Sequence, residues 1–378
     1  MVLNWCQDPP PVSVVTSIAP VGTQQTLYVP SSDHLYSVNA SDGTVRWCQQ
    51  VKPTQEMIQA WSTRPYGRHH APPHLRFGTP RVTNGVVYVC ASSDGQYTCA
   101  FNAGDGTLRW RTPTDAWSVS MPFGDFAVPL LKDGIVYTGT YVLNEQDGAV
   151  LWRIALETQW FSPQTLVDNT MYAVSQRGIY AINAQHGEVS WLYEPDEYTF
   201  ISGPLVVADH LLYAGTQGSV DHPETSYCFA LDTETGAEQW RYPMGIYIGA
   251  VIHDENIYVS SGDRCLYALE KHNGSLRWKY QFVDPGHHAA TMAGNVLYIN
   301  TDGAYALSSA DGTVLWHQRL GSNPSVSFTP SVVLDGVVYL ASIDGHGHSI
   351  LYSLNASNGT EYWHSHYPDQ IIPLAVAR

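Results

Sequence analysis

The sequence predicts an all-β protein, an eight-bladed β-propeller of four-stranded antiparallel blades, on three observations. A glycine stands four residues before a tryptophan eight times: Gly43/Trp47, Gly106/Trp110, Gly148/Trp152, Gly187/Trp191, Gly236/Trp240, Gly274/Trp278, Gly312/Trp316 and Gly359/Trp363. Successive tryptophans lie 63, 42, 39, 49, 38, 38 and 47 residues apart, and a period near 40 residues signals a repeat architecture. Each repeat also carries the punctuation of short strands joined by tight turns, with no helical periodicity.

Each element of the repeat has its own marker. The inner strand carries a proline (Pro20, Pro80, Pro129, Pro163, Pro204, Pro330), replaced by Ala250 and Ala290 in two repeats. The second strand carries an apolar residue followed by tyrosine, at Tyr28, Tyr88, Tyr137, Tyr172, Tyr213, Tyr258, Tyr298 and Tyr339. The third strand reads aromatic, small, apolar, as in Tyr267-Ala268-Leu269, with Cys99 in the aromatic place of the second repeat. A turn follows, in which the glycine supplies a positive φ, and the fourth strand contains the tryptophan. Such a blade cannot bury both faces alone, so blades stack around an axis. The tryptophan is expected between blades, seated where a small residue such as Ala230 leaves room. A buried tryptophan removes about 150–250 Å² from water, on the order of 4–6 kcal/mol as an upper bound.

The whole chain, 1–378, reads as one propeller domain. A seven-bladed ring is the alternative. Tyr141 follows Tyr137 by only four positions, so 138–144 is expected as one continuous stretch and blade 3 as short of a strand. At the ends, VLNWCQ (2–7) echoes TVRWCQ (44–49), and IIPLAVAR (371–378) echoes SGPLVVAD (202–209). Two readings stand at this point: the ends close the ring by strand exchange, or the chain was cut from a longer protein. Six cysteines occur without a CxxC spacing. If Asp94-Gly95 is a two-residue turn, Cys90 faces Cys99, and either a cross-strand disulfide or two reduced thiols fits.

Phrases such as CFALDTETGAEQW (228–240) and CLYALEKHNGSLRW (265–278) resemble the tryptophan-docking motif of the PQQ-like repeat superfamily. The resemblance covers residues 18–363 and implies the propeller scaffold. That superfamily includes quinoprotein alcohol dehydrogenases and BamB-type lipoproteins of outer-membrane assembly, the latter similar in size to this chain. The dehydrogenases hold their quinone beneath a disulfide between adjacent cysteines, and this sequence has no adjacent pair. No cofactor is therefore expected, neither PQQ nor calcium. The Asp-Gly and Asn-Gly pairs before each tryptophan recur with the fold and are read as turns, without a ligand role.

The net charge of −16, with four lysines, excludes the basic stripe of a nucleic-acid binder. No run of apolar residues is long enough to span a membrane as a helix. The composition suits an extracytoplasmic domain, periplasmic or at the cell surface, and a monomer.

Propeller ligands are sought at the mouth of the central channel, where loops vary on a rigid scaffold. Residues near the start of the inner strands are Phe77, Phe126, Trp160, Ile201, Tyr247, His287, His288 and Phe328, with Trp117 and Phe123 in a neighbouring loop. The basic stretch 64–77 adds Arg76, whose guanidinium suits a carboxylate. The expected ligand-binding set is Arg76, Phe77, Trp117, Phe126, Trp160, Tyr247, His288 and Phe328, suited to a protein partner or a small aromatic or sugar-like ligand. A dry plug is the competing reading of the same aromatics. For an enzyme at the mouth, His287, His288 and Asp125 are the acid/base candidates. An alternative metal site would use His69, His70, His346 and His348. The sequence thus points to a non-catalytic binding or scaffold propeller, as the sensor part of a larger bacterial protein, with an enzyme using the aromatic mouth as the alternative.

Overall fold

The computed structural model describes residues 12–14, 25–31, 34–50, 76–92, 96–114, 128–156, 161–197, 199–218, 221–283, 290–320, 327–328, 331–343, 348–367 and 375–377. They form eight antiparallel sheets arranged as the blades of a propeller. Blade 5 shows the plan: inner strand Thr199–Ala208, then Leu211–Gly218, Tyr227–Asp232 and outer strand Glu238–Pro243, hydrogen-bonded in chain order. The inner strands of blades 2 and 8 are each interrupted, as Arg76–Phe77 with Arg81–Thr83 and Ser327–Phe328 with Val332–Leu334.

Two turns recur. The first joins the inner and second strands through two residues, as at Asn84-Gly85, Asp133-Gly134 and Asp335-Gly336, all with positive φ. Asparagine and aspartate tolerate that conformation, and its twist matches the flanking strands. The second turn carries the repeat glycine, whose φ lies between 70° and 77° in all eight blades. Just before each tryptophan the fourth strand bulges by one residue: Ala230 faces Trp240, but Leu231 faces Glu238. The alanine ten residues before the tryptophan is thus its cross-strand neighbour in the same blade. The room between blades is made by the glycine instead.

Each tryptophan lies against the turn glycine of the next blade. Trp47 sits on Gly106, Trp110 on Gly148, Trp152 on Gly187, Trp191 on Gly236, Trp240 on Gly274, Trp278 on Gly312, Trp316 on Gly359 and Trp363 on Gly43. A Cβ at any of these glycines would stand 2.5–2.8 Å from the indole. In seven blades the indole Nε1 donates to a main-chain carbonyl of that next turn, at 2.9–3.2 Å. The second-strand tyrosine commonly donates to the same carbonyl: Tyr213 and Trp240 share Lys271, Tyr258 and Trp278 share Ser309, Tyr339 and Trp363 share Ala40. Tyr88 differs, giving its proton to the Glu145 carboxylate at 2.9 Å. Eight buried clusters follow, one at each blade–blade seam. The step from Trp363 to Gly43 brings blade 8 back to blade 1, so the ring has eight members.

Three expectations are corrected or resolved. Blade 3 has four strands, because Ile135–Thr138 and Tyr141–Asn144 are joined by the two-residue turn Gly139-Thr140, with Thr138 facing Tyr141. Gly139 at φ 52° lets the chain reverse within that length. Cys90 faces Thr98 and Cys99 faces Val89, so three residues, not two, separate the paired ends Ser92 and Gln96. Slipping the register by one turns the two sulfurs to opposite faces, and both cysteines are free and buried. At the ends, Ala375–Ala377 pairs with Thr26–Ser31 as the inner strand of blade 1, and Val12–Val14 pairs with Glu361–Tyr367 outside blade 8.

Candidate functional site

Antiparallel order gives every blade a lower and an upper end. The two recurrent turns lie at the lower end. There the side chains of Asp42, Asp105, Asp147, Asn273, Asp311 and Asn358 each accept a main-chain N–H two residues on, at 2.8–3.1 Å. The lower face is thus repetitive and satisfied by its own turns. The upper end carries the start of each inner strand, the end of each outer strand and the turn between the second and third strands. It differs from blade to blade.

Phe77 and Tyr247 of the sequence-based set are fully buried. Phe77 packs edge-on to Phe101 at 6.4 Å, in the seam of blades 1 and 2. Tyr247 fills the seam of blades 5 and 6, against Gly203 and Gly215, and donates to the Pro204 carbonyl at 3.1 Å. The Ser202 hydroxyl donates in turn to the Tyr247 carbonyl at 2.8 Å. The backbones of Arg76 and Phe328 lie in short inner-strand segments facing Ser92 and Ser342. His348 is exposed at the upper end of blade 8. Trp117, Phe126, Trp160, Asp125, His287, His288, His69, His70 and His346 lie outside the described residues. Among the described residues, no three His, Cys, Asp or Glu side chains are grouped to hold a metal ion.

The upper face presents residues that sequence reasoning missed. Phe200 is 61% exposed, whereas its neighbour Ile201 is buried. Strand alternation separates them, since successive side chains leave opposite faces. Phe200 faces Gln217 at the very start of the inner strand of blade 5. Thr199, just before it, is tied down: its hydroxyl donates to the Asp196 carbonyl at 2.6 Å.

Around that strand start runs a fixed polar network. The Arg241 guanidinium donates to Asp196 at 2.6 Å and to both oxygens of Glu238 at 2.6 and 2.7 Å. It also lies over the Tyr227 ring, 4.3 Å from the centroid. Tyr193 donates to Glu238 at 2.9 Å, tying blade 4 to blade 5. The hydrogen bond from Arg241 holds the Asp196 carboxyl below the usual aspartate range, and Glu238 holds the guanidinium firmly charged.

The next two seams repeat the theme with other residues. In blade 6, Tyr267 donates to Asp263 at 2.5 Å and receives Lys279 at 2.8 Å. Burial pushes the Asp263 carboxyl up, but the Tyr267 hydrogen bond and the Lys279 charge outweigh it, and the net direction is down. In blade 7, His317 stacks on Tyr305 with ring centres 3.9 Å apart, and its Nε2 stands 3.7 Å from Asp302. Burial lowers the His317 pKa against the pull of Asp302. A sequence signal for this pattern exists. The residue after the tryptophan is basic or histidine in six repeats (Arg111, Arg153, Arg241, Lys279, His317, His364), and it faces the third-strand aromatic directly in five of them. The five aromatics are Tyr141, Phe229, Tyr267, Tyr305 and Tyr352, and Arg111 faces Cys99 instead.

Such an arrangement fixes charges and rings in place, which suits recognition of another surface. A family model described as outer membrane protein assembly factor BamB matches residues 4–140, 111–244 and 224–370. Among curated relatives, the serine/threonine-protein kinase AfsK of Streptomyces coelicolor is 29% identical over 175 residues, 45% of this chain and 19% of the relative. Outer membrane protein assembly factor BamB of Yersinia pestis is 24% identical over 256 residues, 62% of this chain and 60% of the relative. The chain thus spans less than two thirds of the length of either. Among solved structures, BamB from Moraxella catarrhalis superposes with a TM-score of 0.60 at 15% identity, covering 94% of this chain and 97% of that one. Quinohemoprotein alcohol dehydrogenase from Comamonas testosteroni gives 0.58 at 14% identity, covering 77% and 67%. At these identities the structural likeness is one of fold.

Proposed function

The chain belongs to the PQQ-like repeat family whose model is described as outer membrane protein assembly factor BamB, and we propose that it is a non-catalytic scaffold propeller that docks a protein partner on its upper face, at the start of the inner strand of blade 5. The observation that carries this reading is Phe200, an aromatic ring 61% exposed at the start of the inner strand of blade 5, just after Thr199, which is held to Asp196 of the Arg241–Asp196–Glu238 network. Aromatic and arginine side chains dominate the binding energy of protein interfaces, and an exposed ring gains most from being covered. The network is already ordered by its own hydrogen bonds, so docking would lose little side-chain freedom there.

The BamB relatives support a protein-interaction role, since their name is that of an assembly factor. They also support placement outside the cytoplasm, in keeping with the low lysine content. Among the described residues, no helix is long and apolar enough to cross a membrane.

The test is differential capture with purified protein on a solid support. A partner held by the unaltered chain should bind Phe200→Ala roughly tenfold to a hundredfold more weakly. It should bind the lower-face variant Thr235→Ala normally. Phe200 is exposed, so its replacement leaves the fold intact. Undiminished capture by Phe200→Ala would remove the upper end of blade 5 as the docking surface.

A further inference from the structure

Eight described residues other than glycine hold a positive φ. Six are asparagine or aspartate and one is His210, the types that tolerate this conformation best. The eighth is Arg264, at 67°. We propose that Arg264 and the adjoining Val283 form a carboxylate-recognition site on the upper face of blade 6, suited to a peptide carboxylate next to an apolar side chain. The site is separate from Phe200 and stands whether or not the docking reading holds.

The turn shows why arginine is unexpected there. Asn256–Ser261 pairs with Cys265–Glu270 so that Ser261 faces Cys265, which leaves Gly262, Asp263 and Arg264 as a three-residue connection. The last residue of such a connection takes the left-handed conformation, and glycine is its usual occupant. Arginine strains the main chain at that place, and such strain persists only where the surroundings fix it. Here they do: the Arg264 N–H donates to the Ser261 carbonyl at 3.1 Å, and its carbonyl accepts the Phe282 N–H at 2.9 Å.

The exposed side chain is held too, since its Nη1 donates to the Val283 carbonyl at 3.2 Å. A guanidinium has five N–H donors, so enough remain for two parallel bonds to a carboxylate. Among the described residues no carboxylate takes them. Asp263, next in the chain, is engaged by Tyr267 at 2.5 Å and lies 3.6 Å from Lys279. A guanidinium left without a carboxylate is out of keeping with a chain of net charge −16. Val283 supplies the apolar half. It is 79% exposed, the highest value for a large apolar side chain among the described residues. Phe282 before it is buried and packs edge-on against Tyr280 and Tyr305. That ring anchors the strand end that displays Val283.

Peptide titration of the isotope-labelled, unaltered protein at low ionic strength tests the site, read from the Val283 methyl and Arg264 Nε–H signals. The probes are acetyl-Gly-Ser-Val-Leu with its terminal carboxylate, the same peptide as its amide, and acetyl-Gly-Glu-Leu-Ser amide. Both carboxylate peptides should shift the two signals saturably at millimolar concentration, and the tighter one identifies a chain end or an acidic side chain as the source. The peptide without a carboxylate should bind roughly tenfold more weakly. Arg264→Lys, which keeps the charge and loses the fork, should bind the carboxylates about threefold to tenfold more weakly, and Thr235→Ala should bind them normally. Equal shifts from the peptide without a carboxylate, or no saturable shift from either carboxylate, overturn the proposal. Arg264→Gly separates recognition from support. It should abolish the Val283 shifts and raise Tm by about 1–3 °C, because glycine relieves the turn. A lowered Tm would show that the arginine serves the fold, and would equally overturn it.

Discussion

Gly274 and Gly85 share a φ of +71°, but their neighbours differ. A Cβ on Gly274 would meet the Trp240 indole at 2.6 Å, whereas one on Gly85 would meet nothing within 4 Å. Alanine at either place bears the cost of positive φ, about 1 kcal/mol. Only at Gly274 must the tryptophan also shift, which adds about 1–3 kcal/mol. Urea unfolding should therefore show Gly274→Ala destabilised by about 2–4 kcal/mol and Gly85→Ala by about 1, with unchanged m-values. The turn requirement was legible in the sequence; the steric one was not, because the tryptophan involved belongs to the preceding repeat. His317 supplies a pH test. Its folded pKa is lowered by burial, so its contribution is full above the ordinary histidine value of about 6.5 and is lost as pH falls through the folded pKa. Stability should decline between neutral pH and the lower folded value, and His317→Gln should flatten that decline. An unchanged slope in the variant would assign the effect to other groups.

Blade 3 shows what a repeat pattern conceals at the scale of the element. Its middle strands have four residues each, where those of blade 2 have seven. The average repeat leaves no space for a hairpin between Tyr137 and Tyr141, yet Gly139 makes one with φ at 52°. Valine there would have to adopt a conformation that β-branched residues avoid. Gly139→Val should lower the urea midpoint, with a loss of about 1–3 kcal/mol, and an unaltered midpoint would contradict the hairpin. In blade 2 the error lay in one residue of loop length. A three-residue connection between Ser92 and Gln96 sends Cys90 and Cys99 to opposite faces. Burial pushes their thiols up, to about 11 and about 12. Both should stay unreactive to alkylating reagents in the folded protein and react once it unfolds.

For the whole molecule, the eight Gly–Trp pairs account for blade number, seam contacts and ring closure. The same regularity makes the lower face uniform and uninformative about function. The upper face holds what breaks the repeat. Its polar networks were partly legible, since a basic residue or histidine follows the tryptophan in six repeats. Phe200 was missed because counting from Pro204 led to Ile201, and only the strand register shows which of the two faces solvent. Phe77 and Tyr247 looked like mouth residues by the same count, but both are packed into seams. The proposed docking surface is best tested by site-specific photo-crosslinking in the native host, with a photoreactive side chain placed at Phe200 or at Thr235 on the lower face. A discrete adduct with one protein from position 200, and none from position 235, is the result expected. An adduct from position 235 with position 200 silent would contradict the assignment of the upper face.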